Sequence, residues 1–118
     1  PDYDDFSNSA HKISMTIKFA KNVVQSYNDK KMKGQDALKE TQALDALTLS
    51  LPDMIANIAE LIQKGASLIL RAKQDFSGIK MAKLPKALKM LSDTVAELKV
   101  IKNEAPQLIA EVKTLRGK

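Results

Sequence analysis

Apolar residues recur every three or four positions along nearly the whole of this 118-residue chain. The chain has only four Gly and four Pro, and runs of β-branched residues are scarce. Spacing of this kind places apolar side chains on one face of an α-helix, whereas a half-buried strand needs strict alternation. We therefore predict an all-α protein, an antiparallel bundle of four main helices, and we expect residues 1–118 to form a single domain.

The first helix is predicted over residues 7–28, with a serine as its N-cap. Its apolar stripe consists of Ala10, Ile13, Ile17, Ala20, Val24 and Tyr27. An acidic arm, residues 1–6, precedes it and contains Asp2, Asp4 and Asp5. The pattern leaves open whether this arm is ordered and whether it pairs with basic residues elsewhere in the chain.

The second helix is predicted from Asp36 to about residue 50, with Leu49 widening its apolar face. Pro52 then favours a break or kink at Leu51, because Pro is well tolerated in the first turn of a helix. A third helix is expected over residues 51–73. Gly65 falls on its apolar stripe, which favours close approach of another helix at that point.

Residues 74–83 are the longest predicted loop, since they include the turn formers Asp75, Ser77 and Gly78. The fourth helix begins at about Leu84. Pro106 interrupts it, so its last part is expected either to be kinked or to form a separate short helix over residues 105–115.

The sequence offers little for catalysis or metal binding. It has no Cys and one His, His11. Disulfides and thiolate sites are thus excluded, and His-based chemistry is hard to build within one chain. Phosphate-cradling glycine loops, paired metal-ligating motifs and nucleophile elbows are also missing. We expect no catalytic residues, no cofactor and no metal, and hence a protein that is not an enzyme.

The formal net charge of +5 resides in one stretch. Residues 71–90 hold six basic residues and a single acid, interleaved with apolar side chains. An anionic, partly apolar partner would favour such a surface: a lipid, a membrane surface or an amphipathic protein segment. The predicted partner-binding residues are Arg71, Lys73, Phe76, Ile79, Lys80, Met81, Lys83, Lys86 and Lys89.

Other interpretations compete with this one. The lysines can equally be the solvated face of a loop and helix, with Phe76, Ile79 and Met81 folded back on the core. The chain can instead be a structural or self-associating bundle, or it can carry an apolar ligand between helices that contain five Met residues. Nucleic acid is less favoured, since the chain has only two Arg, Arg71 and Arg116, and no Trp.

The compartment is not determined by these features. The sequence begins at Pro1 rather than Met and lacks Cys, as a processed exported protein would, but a cytoplasmic protein can share both properties. No transmembrane segment is predicted, because polar residues interrupt the most apolar window, residues 54–70.

Overall fold

Three long α-helices account for most of the molecule. The computed structural model describes residues 2–117, and over that range it contains helices and no strand. Helix α1 spans Asp2–Met32, α2 spans Leu38–Asp75 and α3 spans Leu84–Arg116, with a 3-10 helix at Gly78–Lys83. The all-α prediction is confirmed, whereas the prediction of four main helices is wrong.

The helices lie side by side along a rod of about 62 × 22 × 20 Å. Ser14 bonds to Glu97 and Lys21 to Glu104, so α1 and α3 run in the same direction. Helix α2 runs the opposite way, since its end contacts the start of α1 through Tyr3 and Asp75. We call that end of the rod, with the 3-10 helix, the tip end, and the other, with the α1–α2 connection, the turn end.

The core follows the predicted stripes closely. All six stripe residues of the first helix are buried, and α2 and α3 each bury residues at helical spacing as well. The largest fully buried side chains are Phe6, Leu44, Leu51, Ile58, Leu68, Leu91, Leu98 and Val112. Leu49 departs from expectation: it is 78% exposed, on the face of α2 away from the core.

The predicted break at Leu51 does not occur, and α2 continues through Pro52. Pro52 cannot donate to the Thr48 carbonyl, a loss that disfavours a helix by about 3 kcal/mol. Pro52 is exposed, however, so its ring displaces no core side chain. Leu47, Leu51 and Ile58 are buried on one unbroken stripe across the proline, and their burial offsets the local penalty.

The same reasoning applies to Pro106, which lies inside α3. Its neighbours Ala105 and Leu108 are buried while Pro106 itself faces solvent. The separate helix considered for residues 105–115 is therefore the continuous last third of α3.

The first helix begins earlier than predicted, at Asp2 rather than near residue 7. Residues 2–6 form its first turns, and Phe6 is completely buried. Burial of the Phe6 ring stabilises this segment as a helix, and three carboxylates in the first turn complement the helix dipole. After Met32 the chain turns at Gly34, whose φ of +68° suits glycine.

Gly65 allows the close approach that its place on the stripe predicted. A Cβ atom at this position would lie 2.6 Å from Cζ of Phe6 and 2.6 Å from Cγ2 of Val95. The missing side chain thus leaves room for a residue of α1 and a residue of α3 against the same point of α2.

Candidate functional site

The predicted partner-binding residues all lie at or near the tip end. Arg71 and Lys73 are in the last turns of α2, Ile79 to Lys83 are in the 3-10 helix, and Lys86 and Lys89 are in the first turns of α3. The predicted loop at 74–83 is shorter than expected, because α2 extends to Asp75 and Gly78–Lys83 is helical. Gly78, with φ of +64°, begins this short helix.

Arg71 is engaged within the molecule. Its guanidinium lies 3.4 Å from the Asp2 carboxylate on α1 and 3.5 Å from that of Asp75. Tyr3 donates a 2.6 Å hydrogen bond to the same oxygen of Asp75. The open question about the acidic arm is thus answered for its described residues: residues 2–6 are helical, and Asp2 pairs with Arg71, the first residue of the basic segment.

Phe76 belongs with this cluster. It is half-buried, and its ring packs edge-to-face on Tyr3 with centroids 5.3 Å apart. Burial and the hydrogen bond to Asp75 raise the pKa of Tyr3 to about 12. For Phe76, the alternative prediction of an aromatic ring folded back on the core is the correct one.

The remaining apolar residues are exposed. Ile79 is 100% exposed and Met81 59%, so neither folds back on the core. Leu70, one turn before the end of α2, is 82% exposed. Leu70 is not among the predicted binding residues, although it follows the buried Leu68 by two positions and therefore lies on a different face of the helix, a sequence signal of exposure.

Four lysines at this end have no ion pair with a described residue: Lys73, Lys80, Lys83 and Lys86. All four are exposed. We use the name basic tip for these lysines together with Leu70, Ile79 and Met81.

Lys89 differs from these lysines. It lies 2.8 Å from Asp93, one turn further along α3. That hydrogen bond raises the pKa of the Lys89 amine above its usual value. Lys89 therefore forms an ordinary exposed helix pair, and we leave it out of the basic tip.

Folding lowers the charge of this end. Residues 71–90 carry +5, but the first turn of α1 brings Asp2, Asp4 and Asp5 to the same end. Residues 2–6 and 71–90 together carry +2. The acids are nearby in space and distant in sequence, so a count along the chain could not include them.

The methionines do not surround a common cavity. Met15, Met32, Met81 and Met90 are each at least 36% exposed, and Met54 is half-buried beside a surface cleft.

Comparison of the chain with models of known protein families, with curated proteins and with solved structures found no match. None of the helices described over residues 2–117 combines the length and the apolar character needed to span a bilayer.

Proposed function

We propose that this protein is a non-enzymatic module that docks on anionic lipid membranes through its basic tip. The observation that supports this most directly is Ile79, which is fully exposed in the 3-10 helix beside Lys80 and close to Lys83. Water-exposed apolar side chains among unpaired lysines suit the boundary between lipid headgroups and acyl chains.

The expected energies are sufficient for reversible binding. Each lysine near an anionic leaflet contributes about 1 kcal/mol, so the four lysines of the basic tip contribute about 4 kcal/mol. Burial of an isoleucine side chain in the membrane adds about 1.5–3 kcal/mol. Asp4 and Asp5 at the same end oppose this attraction. Because an anionic membrane repels the start of α1, contact through the 3-10 helix at the tip end is favoured.

Membrane binding fits the side chains better than nucleic-acid binding. Arg71 is occupied by Asp2 and Asp75, and Phe76 is stacked on Tyr3. No free aromatic ring or guanidinium is thus left among the predicted binding residues. Single-stranded nucleic acid would need such groups for stacking.

Enzymatic activity has little support at this end of the molecule. The pKa shifts of Tyr3 and Lys89 arise from burial or from direct hydrogen bonds to Asp75 and Asp93. Neither group faces an enclosed cleft in the way that a general acid or base requires.

The test is flotation with two kinds of vesicle: pure phosphatidylcholine, and phosphatidylcholine with roughly a third phosphatidylserine. We expect binding only to the anionic vesicles, weakened but not abolished near 0.15 M salt, because screening acts on the charges and not on the apolar contact. Neutralising Lys73, Lys80, Lys83 and Lys86 to Gln should lower affinity by roughly 1,000-fold. Ile79→Ser should lower it by roughly 10- to 100-fold.

Two matched controls are available. Changing Lys18, Lys33, Lys99 and Lys102 to Gln removes the same charge from exposed lysines elsewhere that have no ion pair with a described residue. Leu49→Ser removes a similarly exposed apolar side chain, 78% exposed, from the half of α2 nearer the turn end. Equal loss of binding in control and tip variants would mean that binding depends on net charge or on non-specific hydrophobic contact, and not on the basic tip. Absence of flotation with anionic vesicles at low salt would contradict the proposal.

A further inference from the structure

Within residues 2–117, side-chain hydrogen bonds and ion pairs connect α1 and α2 only at the two ends of their contact. At the tip end Asp2 and Tyr3 reach α2, and at the turn end Lys30 lies 2.8 Å from Glu40. Between these points no hydrogen bond or ion pair joins the side chains of α1 and α2 within residues 2–117. The α1–α3 contact, in contrast, has polar bonds along its middle, Ser14–Glu97 and Lys21–Glu104.

Two open clefts lie along the α1–α2 contact, which we call the α1–α2 seam, and the second of them reaches Glu40 at the turn end. The first, of about 470 Å³, has Ile13, Met54 and Leu61 among its lining residues. The second, of about 370 Å³, includes Phe19, Val23 and Ala43. Both clefts are lined by the same two helices, so their apolar side chains follow one line along the rod.

The seam has the dimensions of a helix-binding groove. On α1 its lining residues run from Ser9 to Ser26, which corresponds to ~26 Å, or about five helical turns. Met54 and Leu61 are seven residues apart, as are the anchor positions of a helix that packs into a groove. Phe19, which lines the second cleft, is 53% exposed.

Charge indicates which helix would fit. The charged lining residues that have no ion pair with a described residue are Lys12, Lys39, Lys64 and Glu60. Three lysines against one glutamate make the rim positive. Two copies of this chain would bring like charges together, whereas a helix with acidic flanks would be attracted.

We infer that the α1–α2 seam binds an amphipathic helix with acidic flanks from a partner protein. The bound helix would pack its apolar stripe on Phe19, Met54 and Leu61, which line the seam and are not fully buried, and would complete a four-helix bundle. This site is separate from the basic tip, and the inference does not rest on membrane docking.

The experiment uses the full chain and two synthetic peptides of about 18 residues. Both peptides have the same Leu stripe at helical spacing; one has Glu on its flanks and the other has Lys. Binding is measured by fluorescence anisotropy and located by amide shifts in NMR spectra. We expect the acidic peptide to bind at least about tenfold more tightly than the basic one and to shift the seam residues of α1 and α2.

Variants locate the site. Phe19→Ser and the double change Lys12→Glu with Lys64→Glu should each weaken the acidic peptide by about fivefold or more. Val100→Ser is the matched control, because Val100 is 54% exposed on α3, outside the seam. All these positions are exposed, so the fold should be kept, and circular dichroism checks this.

Several results would overturn the inference. They are equal affinity for the two peptides, no binding at millimolar concentration, amide shifts confined to α3 or the basic tip, and equal weakening by Val100→Ser and Phe19→Ser. A dimer in sedimentation that Phe19→Ser dissociates would assign the seam to a second copy of the chain instead.

Discussion

The missing Cβ atom of Gly65 allows three helices to pack closely at one point. Phe6 of α1 and Val95 of α3 occupy the space that a Cβ at position 65 would need. Each has an atom 2.6 Å from where that Cβ would lie. Both contacts are with side chains, yet Phe6 is completely buried and Val95 is only 8% exposed. Neither can move without displacing other core residues.

Gly65→Ala should therefore destabilise the protein despite the better helix propensity of Ala. The propensity gain is about 1 kcal/mol, and overpacking a full core costs about 1–3 kcal/mol. We expect a net loss of about 1 kcal/mol, seen as a fall in Tm of about 4 °C. In a Phe6→Leu background the same change should cost less, because the shorter side chain leaves room. A rise in Tm in the wild-type background would contradict the packing argument.

Tyr3 gives a second prediction at this scale, one that depends on pH. Its pKa is raised from 10.0 to about 12 by burial and by the hydrogen bond to Asp75, so the folded state favours the neutral phenol. The stability that this provides is complete below pH 10 and is lost as the pH rises from about 10 to about 12. Tyr3→Phe keeps the ring on Phe76 but has no proton to lose.

Ultraviolet absorbance of the phenolate measures this ionisation, and the difference between wild type and Tyr3→Phe isolates Tyr3 from Tyr27. Asp75→Asn should return the pKa of Tyr3 toward 10, since it removes the charged acceptor. The unfolding free energy of wild type should fall more steeply than that of Tyr3→Phe between pH 10 and 12. Parallel curves would show that the pKa of Tyr3 is not raised in the folded protein.

At the scale of helices, the prediction of helix ends from the sequence failed at a proline. Pro52 and Pro106 lie inside helices, while Pro85 lies in the first turn of α3. All three have similar local sequence signals. They differ in whether a buried stripe continues across them, and that is a property of the assembled bundle.

Replacing Pro52 by Ala should restore a donor to the Thr48 carbonyl at an exposed position. The gain in the helix, about 3 kcal/mol, is reduced by about 0.4–1 kcal/mol because the unfolded chain becomes more flexible. We expect a net stabilisation of about 2 kcal/mol in urea unfolding. Pro85→Ala is the matched control and should bring no gain, because Pro at a helix start has no bond to lose. Equal effects of the two changes would contradict this account of α2.

Local pattern predicted much of the fold and part of the candidate site. The stripe of α1 was predictable because burial follows the helical period, and the role of Gly65 was predictable because it lies on such a stripe. The pairing of Asp2 and Tyr3 with Arg71 and Asp75 could not be found, since it joins residues about 70 positions apart. The burial of Phe76 depends on Tyr3 of α1, so the sequence predicted which segment forms the site but not which of its side chains are exposed.

The whole molecule is a rod, and its length separates its surfaces. Its radius of gyration is 18.1 Å, against about 13–14 Å for a compact domain of this size. The basic tip lies at one end, the α1–α2 turn lies at the other, and the α1–α2 seam lies along the side between them. If the proposals for both surfaces hold, a helix bound in the seam would extend away from a membrane held at the tip.

Docking through the tip predicts a definite orientation on the membrane. The chain has no Cys, so Ser77→Cys at the tip end and Lys33→Cys at the turn end each give a single labelling site. Both positions are exposed, and Ser77 forms no side-chain cap bond that the change would remove. With anionic vesicles containing nitroxide-labelled headgroups, a fluorophore at position 77 should be quenched and one at position 33 should not, because the rod is 62 Å long. Equal quenching at both positions would mean that the rod lies flat on the surface, and quenching at position 33 alone would move the docking site to the turn end.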